Sequence, residues 1–245
     1  MNANLLDPEH DPMGAAIADY FHHRRRYKLR VLSSQFDEDE IPVKTLFRTL
    51  AEMPPLEQQA LRLAHGKILD VGAGSGCHTL ALMEMGQNEV TAIDISPLSV
   101  QTMQERGIRD ARQINLFDAS FTERFDTLLM LMNGSGIIGK LRGMNDFFSR
   151  LRDLLLPGGS VLLDSSDLKY LYEEEDGSYD IDPTAPYYGE VDYQMRYGTV
   201  SGEPFDWLYV DFATLQMYAE GNGFTAELVA EGEHYDYLAR LSVRP

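Results

Sequence analysis

From Gly66 onward, the apolar positions of this chain switch regularly between two periods. "KILDVGA" is an apolar run of strand length, and "CHTLALMEMG" continues with helical spacing until Gly86 closes it. "EVTAID" predicts a second strand and "PLSVQTMQERG" a helix, with Ser96 as its N-cap, Pro97 at its first position and Gly107 at its end. "ARQIN" and "DTLLMLM" predict a third and fourth strand. "MNDFFSRLRDLLLPGG" reads as a helix stopped by Pro-Gly-Gly, and "SVLLDSS" as the fifth strand. "DFATLQMYAEGNG" is a helix, followed by the strands "FTAELVAE" and "YDYLARLSV". Strands alternating with helices imply parallel βαβ units. Only "GEH" separates the last two strands, too short for a parallel crossover, so they must pair as an antiparallel hairpin. The expected fold is α/β: a doubly wound, mostly parallel seven-stranded sheet ending in an antiparallel hairpin strand.

Two regions fall outside this rhythm. Residues 1–65 read as a helical extension. Residues 1–12 are a loose lead-in, and Met13 to about Leu32 form one amphipathic helix or two short ones. The acidic run Asp37–Glu40 is a loop, and "PPLEQQALRLAHG" is a helix entered through proline. Residues 167–209 interrupt the alternation and hold eight of the thirteen tyrosines and the only tryptophan, Trp207. Within them "EVDYQMRYG" and "PFDWLYVD" flank "TVSGE" with strand-like alternation, which predicts a hairpin. The whole of 1–245 reads as one domain carrying this insertion.

Composition narrows the partners. With 21 Lys and Arg against 39 Asp and Glu, the chain carries a charge of −18 and would repel a phosphate backbone, so no nucleic-acid partner is expected. The exception is the basic cluster "HHRRRYKLR", His22 to Arg30, which reads as the solvated face of an N-terminal helix. No apolar run approaches the ~20 residues of a membrane span, and no leader-like segment opens the chain; no membrane partner and a cytoplasmic location are expected. Cys77 is the only cysteine and the six histidines form no ligand grouping, so no metal site is expected.

The candidate chemistry begins at Gly72, Gly74 and Gly76, between the first strand and its helix. A dinucleotide fingerprint starting at Gly72 or Gly74 would put its third small residue at Cys77 or Thr79, a poor fit. The spacing Asp70-x-Gly72-x-Gly74-x-Gly76 instead resembles motif I of class I S-adenosylmethionine (SAM)-dependent methyltransferases. The likeness extends to Asp94 closing "TAIDIS", to "FDTLLMLMNG", to "LLLPGGSVLLDSS" and to the final hairpin. It covers about residues 66–166 and 211–243. The resemblance implies SAM as cofactor. Gly72, Ala73, Gly74 and Gly76 would lie along its methionine portion, and Asp70 would orient the amino group. Asp94 would accept both ribose hydroxyls, Ile95 would flank the adenine, and Asn115 with the Leu116 backbone would meet the adenine amino group. Asn133 and Gly134 would face the sulfonium.

The resemblance leaves the acceptor open. Ligands of open α/β sheets bind at the carboxyl ends of the strands. That selects Asp164 and Asp167 after the fifth strand, the end of the fourth, and the last turn with His234 and Tyr235. His78, opening the first cofactor helix, is either a base or a cap. The insertion is expected to form a lid that brings Tyr188, Glu190 and Trp207 near a small-molecule acceptor, giving Asp167, Tyr188, Glu190 and His234 as catalytic candidates. Its aromatics equally suit a homodimer contact. A catalytically silent SAM-binding regulator is the alternative function, and an NAD-dependent oxidoreductase is disfavoured by the glycine spacing.

Overall fold

The computed structural model describes residues 4–24, 27–182 and 184–244. In chain order, α1 (Pro12–Phe21), β1 (Leu29–Leu32), β2 (Asp39–Ile41) and α2 (Pro55–Leu63) precede the alternating region. That region comprises β3 (Ile68–Val71), α3 (Cys77–Glu84), β4 (Val90–Asp94), α4 (Pro97–Glu105), β5 (Ala111–Gln113), β6 (Phe125–Met130), α5 (Met144–Leu154) and β7 (Leu155–Ser166). The insertion contributes β8 (Glu190–Tyr197), β9 (Val200–Ser201) and β10 (Phe205–Leu208). The chain closes with α6 (Phe212–Gly221), β11 (Phe224–Glu231) and β12 (Asp236–Val243).

The main sheet has seven strands in the order β11-β12-β7-β6-β3-β4-β5. β3 to β7 pair in parallel, while β12 runs antiparallel to both β7 and β11. The expected fold is the observed one. Strand alternation divides the core between two faces. Leu69, Val71, Leu128 and Leu163 pack with Phe147, Phe148, Leu151 and Leu154 of α5 and with Leu215 of α6. Ile68, Leu129, Leu162 and Leu238 pack with Leu56, Ala60 and Leu61 of α2 and with Ala81 and Leu82 of α3. The α5 residues recur at i, i+1, i+4 and i+7 with no exposed surface, each burial worth roughly 2 kcal/mol. The same parity puts Asp70, two residues after Ile68, and Asp164, two after Leu162, on the face covered by α2 and α3.

The extension departs from its expected form. α1 stops at Phe21, Leu29–Leu32 is a strand, and the acidic run supplies β2. Both strands join the insertion in a second, antiparallel sheet of order β10-β8-β1-β2, with β9 paired to β8. The helical periodicity beyond Phe21 is overridden by pairing: Leu29 opposes Ile41 on one side and Tyr197 on the other, and is fully buried. The β8–β10 hairpin is present as expected, and β1 occupies its other edge. No helix among the described residues is long and apolar enough to cross a membrane.

Candidate functional site

The β3–α3 turn is built on left-handed glycines: φ is +69° at Gly72, +56° at Gly74 and +81° at Gly76, where an L side chain is strained. Gly72 N and Ala73 N both donate to Ile93 O, at 2.9 and 3.1 Å, which folds the loop over the end of β4. The three positions differ in free space. A Cβ on Gly74 would come no nearer than 3.9 Å to the Ile17 side chain, whereas one on Gly76 would collide with Ile108 and lie 3.0 Å from Met103 Cγ. Gly76 therefore serves helix packing, and the room along the loop lies at Gly72 and Gly74. Gly76→Ala is expected to cost about 1–3 kcal/mol of stability through strain and overpacking, read as a lowered midpoint in urea unfolding. An unchanged midpoint would remove this packing role.

Asp94 fastens the loop, its carboxylate accepting from Gly74 N at 2.8 Å and Ser96 N at 2.9 Å. Burial pushes its pKa up to about 6, with the two N–H bonds acting in the opposite sense. Asp70 is buried and accepts from Thr79 Oγ1 at 2.6 Å; burial raises its pKa as well. Ile95 remains exposed beside them. Asn115 gives its amide nitrogen to Asn4 O and takes Phe117 N on its oxygen, so its side chain braces the loop after β5. Leu116 is buried, and its carbonyl accepts from Arg150 Nε.

The N-terminal extension wraps this edge, an arrangement no local pattern announces. Leu6 N donates to Ile95 O, and Gln113 Nε2 reaches both Leu6 O and Ile95 O. Ser96 Oγ donates to Asp11, and Ser75 Oγ to Leu46 O. Ile17 of α1, fully buried, lies against Gly74.

At the end of β6, Met132 and Asn133 are both left-handed, at φ +65° and +58°. Such conformations in non-glycine residues cost on the order of 1–3 kcal/mol each and concentrate at functional sites. Asp164 holds them there, accepting from Met132 N at 3.0 Å and Gly134 N at 2.9 Å, and burial pushes its pKa up to about 6. Ser166 Oγ donates to Asn133 Oδ1, and the Trp207 indole sits against Gly136, where a Cβ would have no room.

The acceptor candidates separate. Tyr188 donates to Asp167 Oδ1 at 2.8 Å, while Tyr187 donates to Asp211 Oδ2 at 2.6 Å and takes Asp211 N on its own oxygen. The two tyrosine rings lie 4.5 Å apart, and burial raises both phenol pKa values. Asp211, the N-cap of α6, belongs to this group and carries no sequence mark beyond a helix cap. Glu190 is committed elsewhere, accepting from Leu141 N at 2.9 Å. His234 is exposed at the turn between β11 and β12, bonded through its backbone to Asp236; the neighbouring Tyr235 stacks on Tyr170. Among the described residues no group of His, Cys, Asp and Glu has metal-holding geometry.

Comparison with known proteins agrees with this geometry. A methyltransferase-domain family model matches residues 68–159. A SAM-dependent methyltransferase from Bacteroides fragilis, solved with S-adenosyl-L-homocysteine, is 62% identical over 100% of both chains, with a TM-score of 0.94. The CcbJ methyltransferase from Streptomyces caelestis shares the fold at 16% identity, covering 81% of this chain and 93% of its own, with a TM-score of 0.58. Two curated relatives, the tRNA U34 carboxymethyltransferases of Idiomarina loihiensis and Shewanella denitrificans, are each 28% identical, over 42% and 53% of this chain. The matched parts span only 33% and 40% of those relatives' own lengths. The glycine loop, its Asp94 fastening and the 62% identity to a full-length relative place this chain in the SAM-dependent methyltransferase family.

Proposed function

We propose that the chain transfers a methyl group from SAM to a small-molecule acceptor at the carboxyl edge of β6 and β7. The observation that carries the reading is the second sheet: its β10 packs on the turn that follows β6, with Ser135 Oγ donating to Leu208 O at 2.8 Å and Trp207 against Gly136, and this cover suits a small acceptor. The acceptor attacks the methyl carbon in line; its bond to carbon forms as the carbon–sulfur bond breaks, and sulfur keeps the electron pair as S-adenosylhomocysteine. Holding the nucleophile ~3 Å from the methyl is the main catalytic contribution. Asp167, aligned by Tyr188, takes the proton that the acceptor loses.

The tRNA-acting relatives favour a second reading, in which the acceptor is RNA. Charge opposes it. In the basic cluster, Lys28 pairs with Glu40 and Arg30 with Glu38, while Arg25 and Arg26 lie outside the described residues. Radiolabelled SAM incubated with the protein and either a small-metabolite fraction or total tRNA decides between them. Label is expected in the metabolite fraction. Label in tRNA alone would overturn the small-molecule reading, and tight SAM binding with turnover of neither would support the silent regulator.

A further inference from the structure

At the adenine end of the cofactor site, a stretch of chain is held in place that the methyl transfer does not use. Asn4, Leu5 and Leu6 cross the ends of β4 and β5. Leu6 N donates to Ile95 O at 3.0 Å, and Gln113 Nε2 ties Leu6 O to Ile95 O, at 3.0 Å from each. Asn115 Nδ2 donates to Asn4 O at 3.1 Å, and Asn115 Oδ1 accepts from Phe117 N at 2.9 Å. Further along, Asp11 anchors the stretch: fully buried, it accepts from Gly14 N at 2.8 Å and from the Ser96 hydroxyl. Between these ties residues 7–10 are exposed, and of residues 4–6 only Leu6 is partly buried. Ordering an exposed terminal segment costs conformational entropy, and little apolar burial offsets it here. The polar ties end on Ile95, Ser96, Gln113 and Asn115, around Asp94 and not on the core. Leu5 and Ile95 meanwhile leave large apolar side chains 49% and 37% exposed.

We propose that residues 4–6 form the outer wall of the adenine subsite, and that Asn115 is a positioning residue holding this wall, not a ligand of the adenine amino group. The inference rests on the SAM-binding reading of the glycine loop and Asp94. A purine lying on Ile95 covers apolar surface there and on the adjoining strap, so the base supplies the burial that the strap lacks. The role of Asn115 follows from donor and acceptor chemistry. An adenine amino group needs an acceptor, and the Asn115 oxygen is engaged by Phe117 N. The Asn115 donor, which that amino group cannot use, goes to Asn4 O. Strap and base therefore order each other.

Asn115→Asp separates the two roles. It keeps an acceptor for Phe117 N, improves the acceptor that an adenine amino group would meet, and replaces the donor to Asn4 O by an oxygen that repels it. By calorimetry at pH 7, Asn115→Asp and a chain lacking residues 1–6 are each expected to bind S-adenosylhomocysteine about tenfold more weakly than wild type. In the shortened chain, Asn115→Asp should change affinity by less than about twofold, because the wall it held is gone. Losses that multiply would show that Asn115 acts on the base itself and would overturn the proposal. 5′-Methylthioadenosine keeps the base and lacks the amino-acid end, so its binding should weaken by the same factor. A loss confined to S-adenosylhomocysteine would trace to the glycine loop and refute the wall. Unchanged or tighter binding by Asn115→Asp, or wild-type affinity without residues 1–6, would refute it as well. A wild type that binds neither ligand would instead remove the SAM reading itself. Hydrogen exchange of the wild type gives a second measurement should a variant not fold. Saturating S-adenosylhomocysteine should slow exchange of the Leu6 amide at least tenfold, and an unchanged rate would end the assignment.

Discussion

Replacing Asp94 by alanine is expected to weaken S-adenosylhomocysteine binding by about 1.5–3 kcal/mol, roughly ten- to 150-fold, the range for hydrogen bonds to a charged group. The carboxylate closes β4 with Gly74 N and Ser96 N on its oxygens, and the proposed cofactor site sets the ribose hydroxyls against its remaining lone pairs. A hydroxyl donates well to a carboxylate and poorly to a carboxylic acid, so the effect carries a pH signature. Burial pushes Asp94 up to about 6, and wild-type affinity should fall as pH drops through 6, a dependence that Asp94→Ala loses. Stability runs the other way. A carboxyl whose pKa rises from 3.8 to about 6 on folding binds its proton more tightly in the native state. The stability contributed by protonated Asp94 and Asp164 is present at low pH and is lost as pH rises from about 4 through 6. Calorimetric titrations of wild type and Asp94→Ala between pH 5 and 8 check both parts. Unchanged affinity in the variant would end the ribose assignment, and a pH-independent wild type would end the titration argument.

What the sequence shows of this protein depends on whether a signal is local. The main sheet is legible because each βα unit carries its own apolar run and most carry their own stop, such as Gly86 or Gly107; the expected stop at Pro157-Gly158-Gly159 is displaced, since α5 ends at Leu154 and these three residues lie within β7. Gly72, Gly74 and Asp94 are legible for the same reason, since a positive φ and a strand-end acid each leave a mark at one position. The second sheet leaves none. β1 is four residues long and acquires its identity only from partners at Ile41 and Tyr197. Ile17 looks like any helical core residue, and nothing within α1 tells that it rests on Gly74. Glu190 drew interest by its place in the insertion, yet its carboxylate turns out to cap the chain at Leu141. His78 admits a local reading as a helix cap, whereas its partner Glu57 stands twenty-one positions earlier on another helix. Long-range polar pairs of this kind cannot be found by period or spacing.

The same long-range pairing changes what removing the insertion should do. If residues 167–209 were an independent lid, replacing Lys169–Gly202 by a short Gly/Ser linker would spare SAM binding. The second sheet makes that outcome unexpected. The replacement deletes β8 and β9, exposes the edge of β1 and takes away the Tyr197 hydroxyl bonded to Asp19 of α1 at 3.1 Å. α1 carries Ile17 against Gly74, so the loss reaches the cofactor loop from behind. S-adenosylhomocysteine affinity should fall at least tenfold, accompanied by a lower thermal midpoint. Tyr188→Phe is the contrasting change: it keeps the ring on Tyr187 and the sheet intact, and removes the hydroxyl that donates to Asp167 at 2.8 Å and, more distantly, to Asp211 at 3.3 Å. It should bind S-adenosylhomocysteine within about twofold of wild type and transfer methyl groups roughly 10²-fold more slowly, in the range of a disturbed acid–base group. Calorimetry and the labelled-SAM assay read the two variants side by side, and light scattering reads the oligomeric state. A truncated protein with wild-type affinity would show that the extension covers the cofactor without help from β8. A truncated protein that still turns over its acceptor but has gone from dimer to monomer would assign the aromatic insertion to an interface between subunits.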